Sequence, residues 1–333
     1  MKDKIFHSIE GHTCGNPVRM IIKGAPKLKG NSMSDYRNYF IKNFDWIRTS
    51  LMFEPRGHDM MSGSILYPAL NKKCDVGILF IETTGCLPMC GHGFIGTITF
   101  ALEKKIIKPK RIGVVVAETP AGIVTAEYKK VGNKIKSVKF KNIESWLEIK
   151  NFQANLPEIG KVKFDVAYGG NFYAIFDPQE GFGSLNKMTA ADVLRISPKV
   201  RDEINKLIKP IHPFNKNIKG VTHIMWTGKA KLKNSSSRNA VFYGKNAIDR
   251  SPCGTGTSAR LAQLHAKGKL KIKEKFVHES ILGTQFVGRV ESEIIFNNKK
   301  AIIPSVEGWS VITGESKFII SKSDPFYKGF SII

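Results

Sequence analysis

No apolar run in this 333-residue sequence approaches the ~20 residues that a membrane-spanning helix needs, so no membrane partner is expected. The start, Met1-Lys2-Asp3-Lys4-Ile5-Phe6-His7, turns polar again too soon for a secretory signal. Cysteine is scarce. The five present (Cys14, Cys74, Cys86, Cys90, Cys253) are too few for a disulfide scaffold. An odd count without a signal points to a reducing, cytoplasmic setting in which each is a thiol. No Gly-x-Gly-x-x-Gly opens a helix after a strand and no Walker loop occurs, so neither a Rossmann domain nor a P-loop is supported. Acidic residues are few: 28 Asp+Glu stand against 52 Lys+Arg, a net charge of +24. That excess raises nucleic acid as a partner. The basic residues are scattered, however, and the densest stretches, Lys129 to Lys141 and Lys267 to Lys275, alternate lysine with Val, Ile, Phe or Leu. Such alternation reads as the wet face of amphipathic strands, with no aromatic platform and no helix-turn-helix or zinc-knuckle spacing. No nucleic-acid partner is expected, and the field would suit an anionic small molecule.

The chain has enough apolar residues, 42%, for two ordinary cores. Short strand-like runs dominate the first half. Ile65-Leu66-Tyr67 and Val76 to Ile81 are bounded by turn residues, and Ile112 to Ala117 and Ile123 to Ala126 flank a hairpin turn at 118–122. Helical periodicity is confined to Ser34–Thr49, Phe94–Lys104, Ala190–Ile208 and Thr257–Lys267. Strands in runs with a few helices between them predict a mixed α+β architecture. The informative feature is a repeat. Met89-Cys90-Gly91-His92-Gly93 and Pro252-Cys253-Gly254-Thr255-Gly256 both read Cys-Gly-x-Gly, both follow a strand and run into a helix, and they lie almost half the chain apart. An earlier echo, Cys14-Gly15-Asn16-Pro17 and Gly169-Gly170-Asn171-Phe172, precedes each at similar spacing. The chain reads as two similar halves.

The first N–H groups of a helix lack intrahelical partners and carry partial positive charge, and the flanking glycines let an anion reach them. A cysteine there is expected to have a lowered pKa and to serve as an acid or base near neutral pH. Two such units facing one substrate carboxylate would set its α-carbon between two sulfurs. One thiolate takes the α-proton and the opposite thiol returns one to the other face. Stereoinversion without a cofactor follows.

These residues resemble the proline racemase / hydroxyproline epimerase family, nearly end to end. The likeness runs through Gly11-His12-Thr13, Glu54-Pro55-Arg56-Gly57-His58, the Cys90 motif, Thr119-Pro120-Ala121-Gly122, Tyr168 to Tyr173, Asp249 to Ser258 and Asp324-Pro325-Phe326. The resemblance implies a diaminopimelate epimerase-like fold of two lobes, each a curved sheet around a central helix, with the active site in the cleft between them. The first lobe would be 1–160, carrying Cys90, with a last strand at about 318–333 returning to it; the second would be 161–317, carrying Cys253. It implies Cys90 and Cys253 as the acid/base pair, Gly91, His92, Gly254 and Thr255 as the cradle of carboxylate and ring nitrogen, and Asp249 as partner of the ammonium. His223 would reach the ring or its hydroxyl. Relatives that dehydrate trans-3-hydroxyproline usually lack one thiol, and both are here. Proline racemases commonly carry Asn where this chain has Gly93, the form of 4-hydroxyproline 2-epimerases. The expected activity is inversion at C2 of trans-4-hydroxy-L-proline, in amino-acid catabolism, by a monomer or homodimer, with proline racemisation as the alternative and 3-hydroxyproline dehydration or anion binding behind it. One departure is His12-Thr13-Cys14-Gly15-Asn16-Pro17 where the family usually has His-Thr-Gly-Gly-Glu-Pro.

Plainer readings stand beside these. Cys74 reads as packing, and Cys14 and Cys86 as packing or function. Cys86, Cys90 and His92 have irregular spacing for zinc and no partner motif, so no metal is expected. His12, His58 and His278 read as structural or surface residues, His223 as site or core, and Asp249 as substrate contact or loop cap.

Overall fold

The computed structural model describes residues 3–332; Met1, Lys2 and Ile333, which belong to the terminal stretches read above, lie outside them. The chain divides into two compact units, one of residues 1–140 with 308–333 and one of 141–307.

In chain order the first unit holds β1 (Lys4–Thr13), β2 (Asn16–Lys23), α1 (Met33–Met52), β3 (Ser62–Tyr67), β4 (Val76–Glu82), β5 (Gly85–Leu87), α2 (Gly91–Glu103), β6 (Val114–Thr119), β7 (Gly122–Val131) and β8 (Lys134–Lys141). The second holds β9 (Trp146–Leu156), β10 (Gly160–Tyr168), β11 (Phe172–Phe176), α3 (Ala190–Leu207), β12 (Ile211–His212), β13 (Asn215–Lys219), β14 (His223–Gly228), β15 (Ser237–Tyr243), β16 (Ala247–Ile248), α4 (Gly254–Ala266), β17 (Phe276–Glu279), β18 (Gln285–Phe296) and β19 (Lys299–Gly308). The chain then returns to the first unit as β20 (Ser310–Ile320), antiparallel to β1.

The two units repeat one pairing pattern. The first sheet runs β20-β1-β2-β3-β4-β6-β7-β8, with β2–β3 and β4–β6 parallel and the other neighbours antiparallel. The second runs β9-β10-β11-β14-β15-β17-β18-β19, with parallel pairs at the same two places, β11–β14 and β15–β17. A short hairpin strand lies on each central strand, β5 on β4 and β16 on β15, and a helix leaves it at a cysteine. β20 therefore fills in the first sheet the outer place that β9 fills in the second. The division falls at 140/141 rather than near 160 because β9 pairs with β10 from Leu156–Gly160 to Trp146–Tyr168. The returning strand starts at Ser310, ahead of the expected 318, and beyond Ile320 the chain turns until Phe330 bridges Glu54.

The four expected helices form, in the mixed α+β class. α1 is capped by Ser32, whose side chain accepts the Asp35 N–H, and α3 by a Thr189–Asp192 capping box. α2 and α4 begin at Gly91 and Gly254, three residues ahead of their periodic runs, so the motif glycines form the first turns. Both are buried on all sides, from Gly91 to Ala101 and from Gly254 to Gln263, as befits a helix enclosed by a sheet. Gly96 permits this approach: a Cβ there would lie 2.9 Å from Thr13 Oγ1 and 3.0 Å from Val18. Apolar packing of Phe6, Phe40, Leu51, Ile65 and Ile81 holds α1 to the first sheet; Trp146, Phe164, Phe176, Ile204 and Trp226 anchor the second core. β8 alternates as expected, exposing lysines over buried Ile135, Val138 and Phe140. Lys267–Lys275 forms turns and a single bridge at Ile272 instead of a strand, because Gly268 takes φ +70° right after α4. No helix among the described residues is long and apolar enough to cross a membrane.

Candidate active site

In the first unit, Cys90 is the N-cap of α2, with extended φ/ψ of −139°/114°, and its Sγ accepts the Gly93 N–H at 3.3 Å. A side chain at 93 would crowd it, since a Cβ there would stand 2.9 Å from Sγ. His92 turns back along the same first turn, its Nδ1 3.6 Å from Sγ. Its Nε2 meets Asn16 Nδ2 at 2.8 Å. An amide nitrogen only donates, so the imidazole proton sits on Nδ1, facing the sulfur. Thr13 Oγ1 fixes the turn by donating to the His92 carbonyl at 2.8 Å.

Sequence reasoning missed two residues here. Glu82 ends the buried strand β4, and its carboxylate, the Cys90 sulfur and the His92 ring offer atoms that all lie within 4.8 Å of one another. Ser62, first residue of β3, donates to Glu82 Oε1 at 3.1 Å and stands 3.9 Å from Cys90 Sγ. A carboxylate before the turn Thr83-Thr84-Gly85 reads as a surface charge, and only the folding of β4 against β3 and α2 buries it.

In the second unit, Cys253 is the N-cap of α4 and has φ +63°, in the left-handed half that a non-glycine residue rarely occupies. Its Sγ lies 3.4 Å from Tyr173 Oη, which meets Thr255 Oγ1 at 2.6 Å. Asp249 Oδ1 accepts from Ser251 N and Oγ, both at 2.8 Å, and Ser251 Oγ accepts the Cys253 N–H at 3.2 Å. Asp249 thus holds the cysteine loop, as its cap reading required. His223, first residue of β14, is the topological counterpart of Ser62; its ring lies 4.6 Å from that of Tyr173 and stacks at 5.9 Å on Tyr243. Loss of hydration, with repulsion from Arg201, pushes its pKa down to about 3, so the ring is neutral.

A buried clamp sets the Cys253 loop. Asn239 Nδ2 and Thr257 Oγ1 both donate to the Pro252 carbonyl, at 2.8 and 3.2 Å. His278 lies against both, with Nδ1 2.9 Å from Thr257 Oγ1 and Nε2 2.8 Å from Asn239 Nδ2. Burial lowers the His278 pKa far below its usual value, in keeping with this neutral role.

The expected lowering of the thiol pKa values does not occur. Burial raises that of Cys90 well above the ordinary value, and the Glu82 carboxylate raises it further; the Gly93 N–H and Ser62 oppose this. Burial and Asp249 likewise raise that of Cys253, against the Tyr173 hydroxyl. Desolvation and a neighbouring carboxylate outweigh the helix N-terminus in both. Each sulfur is a protonated thiol at neutral pH and a strong base once ionised.

The other cysteines stand apart. Cys86 packs in the apolar core beside α1, and burial pushes its thiol up to about 12; the ligand atoms that converge with Cys90 and His92 are those of Glu82 instead. Cys14 has φ +48° in the β1–β2 turn, and its N–H and Sγ donate to the Trp309 carbonyl at 3.2 and 3.5 Å. His12 Nδ1 accepts from Gly15 and His58 Nδ1 from Met60.

The family model for proline racemase matches residues 8–331. A 4-hydroxyproline 2-epimerase from Spirosoma linguale is 54% identical over 329 residues, covering 98% of each chain. Another from Ancylobacter novellus is 52% identical over 328 residues, again 98% of each. The crystal structure of a hydroxyproline epimerase from Agrobacterium vitis with bound trans-4-hydroxy-L-proline is similar with a TM-score of 0.86 and 27% identity, over 99% of this chain and 96% of that one.

Proposed function

The chain belongs to the proline racemase family, and from that premise we propose that it is a 4-hydroxyproline 2-epimerase, inverting C2 of trans-4-hydroxy-L-proline to cis-4-hydroxy-D-proline with two thiols and no cofactor. The observation that carries the reading is the pair of cysteines, Cys90 and Cys253, each N-capping a buried helix at the same place in a repeated topology.

The substrate carboxylate rests on the open N–H groups of Gly91, His92, Gly254 and Thr255, which also stabilise charge growing on it as the α-proton leaves. Asp249 pairs with the ring ammonium. That cation offsets the carboxylate field that helps keep the thiol protonated, so the thiolate forms as substrate binds, its proton leaving to solvent. The thiolate then removes the C2 proton, electrons pass into the carboxylate, and the opposite thiol gives its proton to the other face of the planar carbon. The reverse reaction exchanges the roles of Cys90 and Cys253. A raised thiol pKa suits this step, because a weakly acidic C–H needs a strong base.

Neutral His223, ordered by Thr222 Oγ1 at 2.8 Å from Nδ1, pairs with the 4-hydroxyl. A site built to pair that hydroxyl leaves a polar group unsatisfied when proline binds. The test is a panel of trans-4-hydroxy-L-proline, L-proline and trans-3-hydroxy-L-proline read by chiral chromatography, without added cofactor. The hydroxylated 4-isomer is expected to exceed L-proline in kcat/KM by at least ~10²-fold. Preference for L-proline would make the protein a proline racemase instead.

A further inference from the structure

Among the described residues, one group of three unlike metal-ligating side chains converges: the Glu82 carboxylate, the Cys90 thiol and the His92 imidazole, all buried, with ligand atoms within 4.8 Å of one another. We propose that this triad is an inhibitory site for a thiophilic divalent cation of the zinc and cadmium class. In tetrahedral zinc sites with bonds of 2.0–2.3 Å, ligand atoms stand about 3.3–3.8 Å apart. The Cys90 Sγ–His92 Nδ1 separation of 3.6 Å already meets that spacing, and Glu82 needs only a small inward turn. Charge favours occupancy: a dication with one thiolate, one carboxylate and a neutral imidazole is neutral overall, which a buried site requires. A sulfur ligand selects against magnesium and calcium. The outer contacts suit the role as well, with Ser62 and Thr84 donating to the two Glu82 oxygens and Asn16 holding the far nitrogen of His92.

Binding breaks the Cys90 S–H bond and forms a metal–sulfur bond, the proton leaving to solvent. The imidazole stays neutral: its proton moves to Nε2, the Asn16 amide turns its oxygen to accept it, and Nδ1 takes the metal. Three protein ligands leave a fourth position open to water. Among the described residues no such triad forms at Cys253, whose sulfur faces the Tyr173 hydroxyl and the Asp249 carboxylate without a histidine ligand. Under the function proposed above, the cation removes one of the two acid/base groups and stops inversion until a chelator withdraws it. Binding itself does not rest on that function.

The test titrates the reduced full-length protein with Cd²⁺ or Co²⁺ alone, following the thiolate-to-metal absorption band without substrate. One equivalent per chain is expected. The band should vanish in Cys90→Ser and persist in Cys253→Ser, with circular dichroism reporting that each variant is folded. Glu82→Gln, which keeps the side-chain volume, should weaken the apparent affinity at least ~10-fold, and so should Asn16→Ala. Should Cys90→Ser fail to fold, the Glu82→Gln and Asn16→Ala affinities decide. A band that survives in folded Cys90→Ser, affinities unmoved by Glu82→Gln, or no thiolate band in the wild type would overturn the site. Because substrate is absent throughout, failure here leaves the epimerase reading standing, and failure of that reading leaves this one.

Discussion

At the scale of single residues, the proposed chemistry depends on two thiols that burial and neighbouring carboxylates keep protonated. Raised pKa values leave little thiolate at neutral pH, and that fraction grows about tenfold per pH unit until the pKa is approached. kcat/KM for the hydroxylated substrate should therefore rise with pH through the neutral range, turning over only where the second thiol, the acid, also ionises. A flat profile between about pH 6 and 8 would mean that the thiolate is already formed, against the raised pKa values. Specificity is local too. His223→Phe should reduce the preference for 4-hydroxyproline over proline mainly by lowering activity on the former, as measured by kcat/KM on both. Gly93→Asn, whose Cβ would start 2.9 Å from Cys90 Sγ, should lower the ratio of kcat/KM on 4-hydroxyproline to that on L-proline, since Asn is the residue that proline racemases commonly carry there. An unchanged ratio would remove Gly93 from the basis of substrate preference.

At the scale of elements, the two helix N-termini are built differently. α2 closes on Cys90 through a side-chain cap, whereas α4 starts from a cysteine at φ +63° that the Asn239–Thr257–His278 clamp holds by the preceding carbonyl. A non-glycine residue in that region costs about 1–3 kcal/mol, which the surrounding contacts must overcome. His278 ties the clamp to pH. Its folded pKa lies well below the unfolded value, so below about pH 6.5 the unfolded chain takes up a proton that the folded one refuses. Stability from this group is complete above that pH and falls as pH drops, by about 1.4 kcal/mol per unit. Urea unfolding between about pH 5 and 6.5 should show the slopes of His278 and His223 together, and His278→Asn should remove its share, leaving that of His223. An unchanged slope in the variant would remove His278 from the account. The helices themselves were legible from their periodicity. Their glycine starts were not, because glycine propensity argues against a helix and only the enclosing sheet reverses it.

At the scale of the whole molecule, the repeat seen as two Cys-Gly-x-Gly motifs proves to be a repeat of topology, strand for strand and with the parallel pairs in register. The early echo around Asn16 and Asn171 falls on equivalent strands, at the start of β2 and just before β11. What the sequence hid was whatever the two halves do not share. Glu82, Ser62, Tyr173 and Asn239 carry no local pattern, since each meets its partner only through folding: Ser62 with Glu82 across two strands, Tyr173 with Cys253 at the start of α4, and Asn239 with Pro252 in the loop before it. The unit boundary was hidden for the same reason, being set by the β9–β10 pairing. In the proposed mechanism both halves contribute one thiol each to a single inversion. It is tested most directly by incubating trans-4-hydroxy-L-proline in deuterated water with wild type, Cys90→Ser and Cys253→Ser, and separating the C2 epimers by chiral chromatography. The wild type should yield cis-4-hydroxy-D-proline carrying deuterium at C2, and each single variant should lose inversion by at least about 10²–10⁴-fold. Undiminished inversion in either variant would contradict the two-thiol account.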